Sequence, residues 1–324
     1  MRKEYFKTFY ENEFEVGDID PGIWMSNYIV DRMELNDEQI LWFCFLFSIT
    51  YQLPTAYVII NEFPDLENLG IERLNDWWDE NQAKMPFQTD KLKQRKFLPQ
   101  TVQSYKELIE EFGSQKNFFD KLFSDDPHSN FDILWDSTYK SIVQFGRFSV
   151  WNWAQSLKQI AGYKISPSTL FLGESNAKSH THGLCLAYGK DNWAVKEKVD
   201  GKSKYYKFSD EDKSFLNNET SELKKLINEN IVDDFMIETV ACAFKKLFRD
   251  RDSRYIGYYL DRQSEDITKT SEHWKGVDWK VLWDARKELL QKEYLNLKVN
   301  KSKFKQSLSE KIVKLPKRKE DIWF

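Results

Sequence analysis

Glycine and proline are both scarce in this chain, with 12 and 8 copies among 324 residues. Sheet-rich folds need many tight turns and glycine-rich connections, so the scarcity argues against β-sandwiches and Rossmann-type sheets. Aromatic residues make up 16% of the chain, which is enough to fill a sizeable core. The composition therefore predicts a mainly α fold, built as a single large helical domain.

Cysteine is also rare, and a long uninterrupted apolar run is missing. An odd number of cysteines without a pairing pattern argues against a disulfide framework and for a reducing compartment. The most apolar stretch, residues 40–60, contains polar residues and a proline, so it predicts buried core helices and no membrane contact. We therefore expect a cytoplasmic protein. The three cysteines are Cys44, Cys185 and Cys242.

An excess of charge of one sign is absent as well, because 48 basic residues face 52 acidic ones. The net charge of −4 gives no sign of a nucleic-acid partner. Residues 298–319 differ from the rest, with nine basic residues and one acid, Glu310. Such a tail contacts DNA or a partner protein, or is simply solvated. We predict a helical catalytic domain over 1–297 and a basic tail over 298–324.

Local signals place several helix ends and one hairpin. Asn36 begins a helix that Pro54 breaks, and Thr101 caps a later helix after a loop over 82–100. The apolar pattern over 131–160 predicts one long helix with Gly146 in its middle. The Asp200-Gly201 pair predicts a β-hairpin turn, so we expect a small β-hairpin insertion near 184–208.

The first candidate for chemistry is the Gly146-Arg147 pair. A glycine inside a helix costs about 1 kcal/mol relative to alanine, which suggests that another helix or a ligand approaches closely there. The planar guanidinium of Arg147 can bind two phosphate oxygens at once. The alternative is a glycine at a helix crossing, with Arg147 paired to an acid.

The second candidate is the polar segment 173–183, which has glycines at both ends. Hydroxyls, an ammonium group and glycine-freed backbone amides are typical of an anion-binding loop, although the order of a Walker A motif is absent. On a strand, His180 and His182 would share one face, and either could act as a general acid or base. A metal site is disfavoured because no cysteine or carboxylate follows at ligand spacing. The alternative is a solvated loop. The donors are Ser175, Lys178, Ser179, His180 and His182.

The third candidate is the segment 254–265, which interleaves tyrosine and arginine with carboxylates. This mixture suits phosphate contacts and base stacking, or equally an ion-pair network between helices. Glu238, in an apolar helix upstream, could supply a buried carboxylate that faces this segment. The polar and aromatic residues are Arg254, Tyr255, Tyr258, Asp261, Arg262 and Glu265.

In their order and spacing, these motifs resemble the phage-associated amino acid:DNA transferases, also called α-glutamyl/putrescinyl thymine pyrophosphorylases. A tryptophan-rich apolar hairpin broken by Pro54 comes first, and Thr89-Asp90 precede a basic run. The Gly146-Arg147 motif and the 173–183 loop follow, and segment 254–265 comes after the helix with Glu238. The resemblance covers roughly residues 15–295.

The resemblance implies a mainly helical enzyme that acts on double-stranded DNA in a bacterial or phage-infected cell. Its substrate would carry pyrophosphorylated 5-hydroxymethyl-uracil, a modified thymine. Pyrophosphate leaves, and the amine of a free amino acid or polyamine adds to the exocyclic methylene carbon. The resemblance identifies neither the amine nor a cofactor, and it leaves open whether Mg²⁺ assists pyrophosphate loss.

The same resemblance suggests a role for each candidate residue. His182 or His180 would deprotonate the amine, while Glu238 or Glu265 would hold its ammonium form. Tyr255 and Tyr258 would stack on a flipped base. Asp261 joins Glu265 among the contacts to base or amine. The residues expected to bind pyrophosphate are Arg147, Ser175, Lys178, Ser179, Arg254 and Arg262.

Three other functions compete with this one. A non-enzymatic DNA-binding protein would use the basic tail and an aromatic groove. A helical DNA glycosylase-like enzyme would need a glycine-rich helix-hairpin-helix with a catalytic aspartate and a lysine nucleophile, and the sequence shows no such hairpin. A protein scaffold would give the polar segment 173–183 no purpose.

Overall fold

The computed structural model describes residues 2–88, 91–194, 196–199, 202–247 and 257–289. These residues are mostly helical, so the predicted mainly α class is confirmed. The elements are α1 (Arg2–Val16), α2 (Pro21–Arg32), α3 (Asp37–Thr50), α4 (Leu53–Glu62), α5 (Ile71–Asn81), a 3₁₀ turn (Gln82–Lys84), α6 (Leu92–Glu110), α7 (Gln115–Leu122), α8 (Pro127–Thr138), α9 (Arg147–Gln159), α10 (Lys178–Ala187), α11 (Asp191–Ala194), β1 (Lys196–Val199), β2 (Lys202–Tyr205), α12 (Asp210–Leu226), α13 (Asp234–Leu247), α14 (Tyr258–His273) and α15 (Lys280–Leu289).

The predicted hairpin forms between β1 and β2. The strands are antiparallel, with Lys196 opposite Tyr205 and Val199 opposite Lys202. It is shorter than the predicted insertion over 184–208, because residues up to Ala187 belong to α10. The predicted basic tail and its boundary at 297 lie outside the described residues.

The chain divides into two compact units, each assembled from separate stretches of sequence. The first unit contains residues 2–20 and the described part of 169–261. The second contains residues 21–168, apart from 89 and 90, together with 262–289. Each unit is built from discontinuous segments, so one cut in the described chain does not separate them. None of the described helices combines the length and the apolar character that crossing a membrane requires.

In the first unit, α10 and α13 pack unusually closely at Gly183. A Cβ atom on Gly183 would lie 1.9 Å from the carbonyl oxygen of Ala241, so only glycine fits without a shift of the backbone. Phe6 of α1 adds an edge-on contact to Phe244 of α13, with ring centroids 5.1 Å apart. The absence of one side chain therefore sets the separation of the two helices.

In the second unit, α3 is apolar on all sides and lies at the centre of the core. As predicted, Asn36 begins this helix, with a capping box formed with Gln39. Pro54 lies in the first turn of α4, three residues after a left-handed residue, Tyr51. Phe45 of α3 stacks on Tyr105 of α6 at 3.8 Å between ring centroids. Burial of aromatic rings therefore supplies much of the stability of this unit.

Two predicted helix boundaries in the second unit are wrong. The pattern over 131–160 is two helices, because the backbone turns at Gln144 with a positive φ of 56° and α9 begins only after Gly146. Thr101 does not cap a helix but lies within α6, which kinks at Phe97 and continues past Pro99. Pro99 has no N–H for the carbonyl of Arg95, and the indole N–H of Trp78 donates to that carbonyl instead, at 2.8 Å.

Asp18, in the first unit, holds the start of α14. Its side-chain oxygens accept hydrogen bonds from the backbone N–H groups of Gly257, Tyr259 and Leu260, at 2.8, 3.3 and 2.7 Å. Burial raises the pKa of Asp18 to about 7, and the nearby Asp261 carboxylate adds to the rise, while the three N–H donors oppose it. This carboxylate can therefore titrate near neutral pH.

Replacing Gly183 with alanine is expected to lower the free energy of unfolding by about 1 to 3 kcal/mol, because the added methyl group forces α10 and α13 apart. Denaturant unfolding followed by circular dichroism measures the loss. Gly276→Ala is the matched control, since a Cβ atom there meets no atom within 4 Å. Equal stability of the two variants would contradict the close packing.

Asp18 is expected to make the protein less stable as the pH rises from about 4 to about 7. The native pKa lies above the ordinary value, so the native state binds more protons than the unfolded state in this window. The slope approaches about 1.4 kcal/mol per pH unit for one group. In Asp18→Asn that slope should disappear, which a series of melting temperatures at different pH values would show.

Asp126→Asn, at the exposed N-cap of α8, controls for the removal of a capping carboxylate. A difference in melting temperature between the wild type and Asp18→Asn that stays constant from pH 5 to pH 8 would refute the assignment.

Candidate functional site

The polar segment 173–183 is a tight loop that leads into α10, not a strand. Gly173 has a positive φ of 80°, and its N–H donates to the hydroxyl of Thr181 at 3.2 Å. That hydroxyl in turn donates to the carbonyl of Ala177. Residues two apart on a helix point about 160° away from each other. The expectation that His180 and His182 share one face is therefore wrong.

His180 is buried against α13. Its Nε2 lies 2.8 Å from the carbonyl oxygen of Leu170, and its Nδ1 lies 3.0 Å from Oε1 of Glu238. A carbonyl oxygen only accepts, so Nε2 carries a proton and Nδ1 is the nitrogen that faces the carboxylate. The structure thus brings Glu238 to the predicted polar segment, and both side chains are more than nine-tenths buried.

His182 points to the other side and is held by two neighbours. Lys245 of α13 lies with Nζ 3.0 Å from Nδ1 of His182. The ring of Tyr205, on β2, stacks on the imidazole at 5.8 Å between centroids. Nζ of Lys178 lies 4.1 Å from the centroid of the same tyrosine ring. Tyr205 therefore packs against both a cation and the imidazole.

A cavity of about 490 Å³ opens beside these groups, within the first unit. Three lysines and one glutamate contribute its charged side chains, so its lining is mainly cationic. Lys213 also pairs with the exposed Asp210 at 3.0 Å. The lining residues are Gly173, Glu174, Ser175, Lys178, Thr181, His182, Tyr205, Tyr206, Lys207, Phe208 and Lys213.

The other predicted residues are spread over both units. Ser179 follows Lys178 in the first turn of α10 and is half-buried, and Tyr258 and Asp261 lie in the first turn of α14. The second unit contains Arg147, Arg262 and Glu265. Arg147 is the first residue of α9, so the glycine before it is an N-cap and not a helix-crossing residue. Arg254 and Tyr255 lie outside the described residues.

Sequence reasoning missed several residues at this site and one buried lysine elsewhere. Cys242 lies beside His180 and Glu238, and its position four residues after Glu238 on one helix face was an available signal. Lys245 and Tyr205 had no such signal, because only tertiary packing brings them to His182. In the second unit, the fully buried Lys91 donates to the hydroxyl of Ser149 at 2.6 Å.

Comparison with known proteins agrees with the resemblance drawn from the motifs. A serinyltransferase of Salmonella phage ViI is 28% identical to this chain over 263 residues. The match covers 77% of this chain and 63% of the phage protein, so the chain spans less than two thirds of that relative's length. Residues 16–252 match the model of the amino acid:DNA transferase family. This match covers most of the chain, and the chain therefore belongs to the amino acid:DNA transferase family.

Proposed function

We propose that this chain modifies a thymine-derived base in double-stranded DNA by transferring an amine to it and displacing pyrophosphate. In this reaction the bond between the exocyclic methylene carbon and the pyrophosphate oxygen breaks, and a carbon–nitrogen bond forms. The amine comes from a free amino acid or a polyamine and loses one proton, which passes to solvent. Family membership supports transfer to DNA, and the cationic cavity beside α10 supports an anionic leaving group.

The cavity carries the proposal because its charges suit a departing pyrophosphate. Lys178 stands at the N-terminus of α10, where the helix dipole and the backbone N–H groups also favour an anion. Lys207 and Lys213 line the same cavity, and Ser175 adds a hydroxyl donor. Donors already in place stabilise charge that develops on a leaving group without reorganisation cost.

The contact with Lys245 suggests a role for His182. An ammonium group only donates, so Nδ1 of His182 accepts and the proton of the neutral ring is on Nε2. We infer that His182 serves this cavity as a hydrogen-bond donor through Nε2 and not as the base that activates the amine. Such a donor would support Lys178 at the leaving oxygen.

Aromatic rings on the same cavity suit a flipped base. Chemistry on a base requires removing it from the duplex stack, and an aromatic face compensates for the lost stacking. Tyr206 is 38% exposed and stacks on Trp193 at 5.3 Å between ring centroids. We infer that Tyr206 offers such a face, whereas the predicted Tyr258 is not among the residues that line this cavity.

Incubation with duplex DNA that contains pyrophosphorylated 5-hydroxymethyl-uracil tests the proposal directly. Amino acids, with serine as a separate arm because of the relative's name, and polyamines are supplied with and without Mg²⁺. The DNA is then digested to nucleosides, the masses of the nucleosides are determined, and the released pyrophosphate is measured. We expect a mass gain equal to one amine less water relative to the hydroxymethyl nucleoside, with one pyrophosphate released. No mass gain with any amine would refute the proposal.

Lys178→Ala is expected to slow pyrophosphate release about 10- to 100-fold, because the variant lacks a cation beside the leaving group. Lys178→Arg should keep most of the rate. Lys225→Ala is the control, since this exposed lysine of the first unit pairs with Glu222 and does not line the cavity. Equal rates for Lys178→Ala and Lys225→Ala would exclude the cavity as the pyrophosphate site.

A further inference from the structure

A buried histidine, a carboxylate and a thiol meet where α10 packs on α13. His180, Glu238 and Cys242 each offer one ligand atom, and these atoms all lie within 4.8 Å of one another. Within the ranges that the structure describes, this is the one such group of three close enough to share an ion. We propose that it binds a single divalent transition-metal ion of the zinc type.

The hydrogen bond on the far side of His180 supports this assignment. Metal-binding histidines almost always donate their second ring N–H to a carbonyl or carboxylate, which fixes the tautomer and the ring orientation. His180 does so through Nε2, to the carbonyl of Leu170 at 2.8 Å. In the metal-free protein Nδ1 shares a proton with Oε1 of Glu238 across 3.0 Å, and a metal ion bound to both atoms would take the place of that proton.

The chemistry of the three ligand atoms selects the metal. A nitrogen, a carboxylate oxygen and a sulfur suit Zn²⁺ or a similar transition metal, whereas Mg²⁺ prefers oxygen ligands. Binding of the ion releases two protons to solvent, the thiol proton of Cys242 and the proton between His180 and Glu238. Three protein ligands leave one tetrahedral position for water or an exogenous ligand.

The ligand spacing is close to that of a formed site. Bonds of about 2.0 to 2.3 Å at tetrahedral angles place ligand atoms about 3.3 to 3.8 Å apart. Oε1 of Glu238 and Nδ1 of His180 are 3.0 Å apart, and no pair of ligand atoms exceeds 4.8 Å. Side-chain movements of about 1 Å would therefore bring all three onto one ion.

The backbone keeps the ligands together in the absence of an ion. Glu238 and Cys242 are four residues apart on α13, so both lie on the same helix face. His180 faces them from α10, one turn before Gly183, where the two helices touch. Because the helix pair itself presents the three ligands, the site does not depend on the proposed transferase activity.

Metal binding by the full-length protein tests the inference without an activity assay. The protein is stripped with a chelator and titrated with Zn²⁺ against a chromophoric competitor, and separately with Co²⁺. We expect one equivalent of Zn²⁺, a higher melting temperature with Zn²⁺, and a Co²⁺ spectrum with a thiolate-to-cobalt charge-transfer band. Cys242→Ala should abolish that band and weaken Zn²⁺ binding by at least about tenfold.

Cys185→Ala is the matched control, since Cys185 is a buried thiol on α10 that does not belong to the cluster. It should retain both the band and the affinity. Glu238→Gln provides a second test, should Cys242→Ala fold poorly. The inference is overturned if the wild type binds no stoichiometric metal, or if Cys242→Ala and Glu238→Gln bind it as the wild type does.

Discussion

The contact of Gly183 with the carbonyl of Ala241 is the constraint on which the first unit depends. A glycine within a helix costs about 1 kcal/mol of helix stability, and here the close packing of α10 on α13 offsets that cost. The short separation brings a polar helix face within hydrogen-bonding distance of Glu238 and Lys245. With a longer separation, His180 would lose its contact with Glu238, and His182 would lose its contact with Lys245.

Contacts with individual neighbours position the charged side chains around the cavity. Lys245 fixes which nitrogen of His182 can donate. Lys178 lies over the ring of Tyr205, and the same ring stacks on His182. Contacts between cations and aromatic faces are worth about 0.5 to 2 kcal/mol, and they favour a single arrangement of flexible side chains. Preorganised donors of this kind are what transfer chemistry with an anionic leaving group requires.

The sequence was informative where a signal is local and uninformative where packing decides. Asn36, Pro54 and the Asp200-Gly201 pair each act on their own few residues, so the helix start, the helix break and the hairpin could be predicted. The apolar pattern over 131–160 continued across a real break, because both α8 and α9 bury residues against the core. The pattern over 178–187 does not predict a helix, because the first turn is polar and lies between Gly173 and Gly183.

The candidate site was predictable in its residue types but not in its pairings. The polar segment and Glu238 were both identified, yet nothing in the sequence says which histidine meets the carboxylate. That choice follows from helix geometry, since His180 and His182 lie on nearly opposite faces of α10. The contributions of Cys242 and Lys245 likewise require α13 to pack on α10.

The hydrogen bonds of the first unit also bear on how the chain folds during synthesis. Tyr10 donates to the carbonyl of Ile231, and Asp18 binds the N–H of Gly257, across 221 and 239 residues respectively. Residues 2–20 are synthesised more than 200 residues before these partners, so they have to wait until the partners exist. Such high contact order slows folding and leaves apolar side chains of α1, among them Phe6 and Phe9, exposed in the meantime. Residues 2–20 are therefore open to recognition by chaperones until those later segments are made.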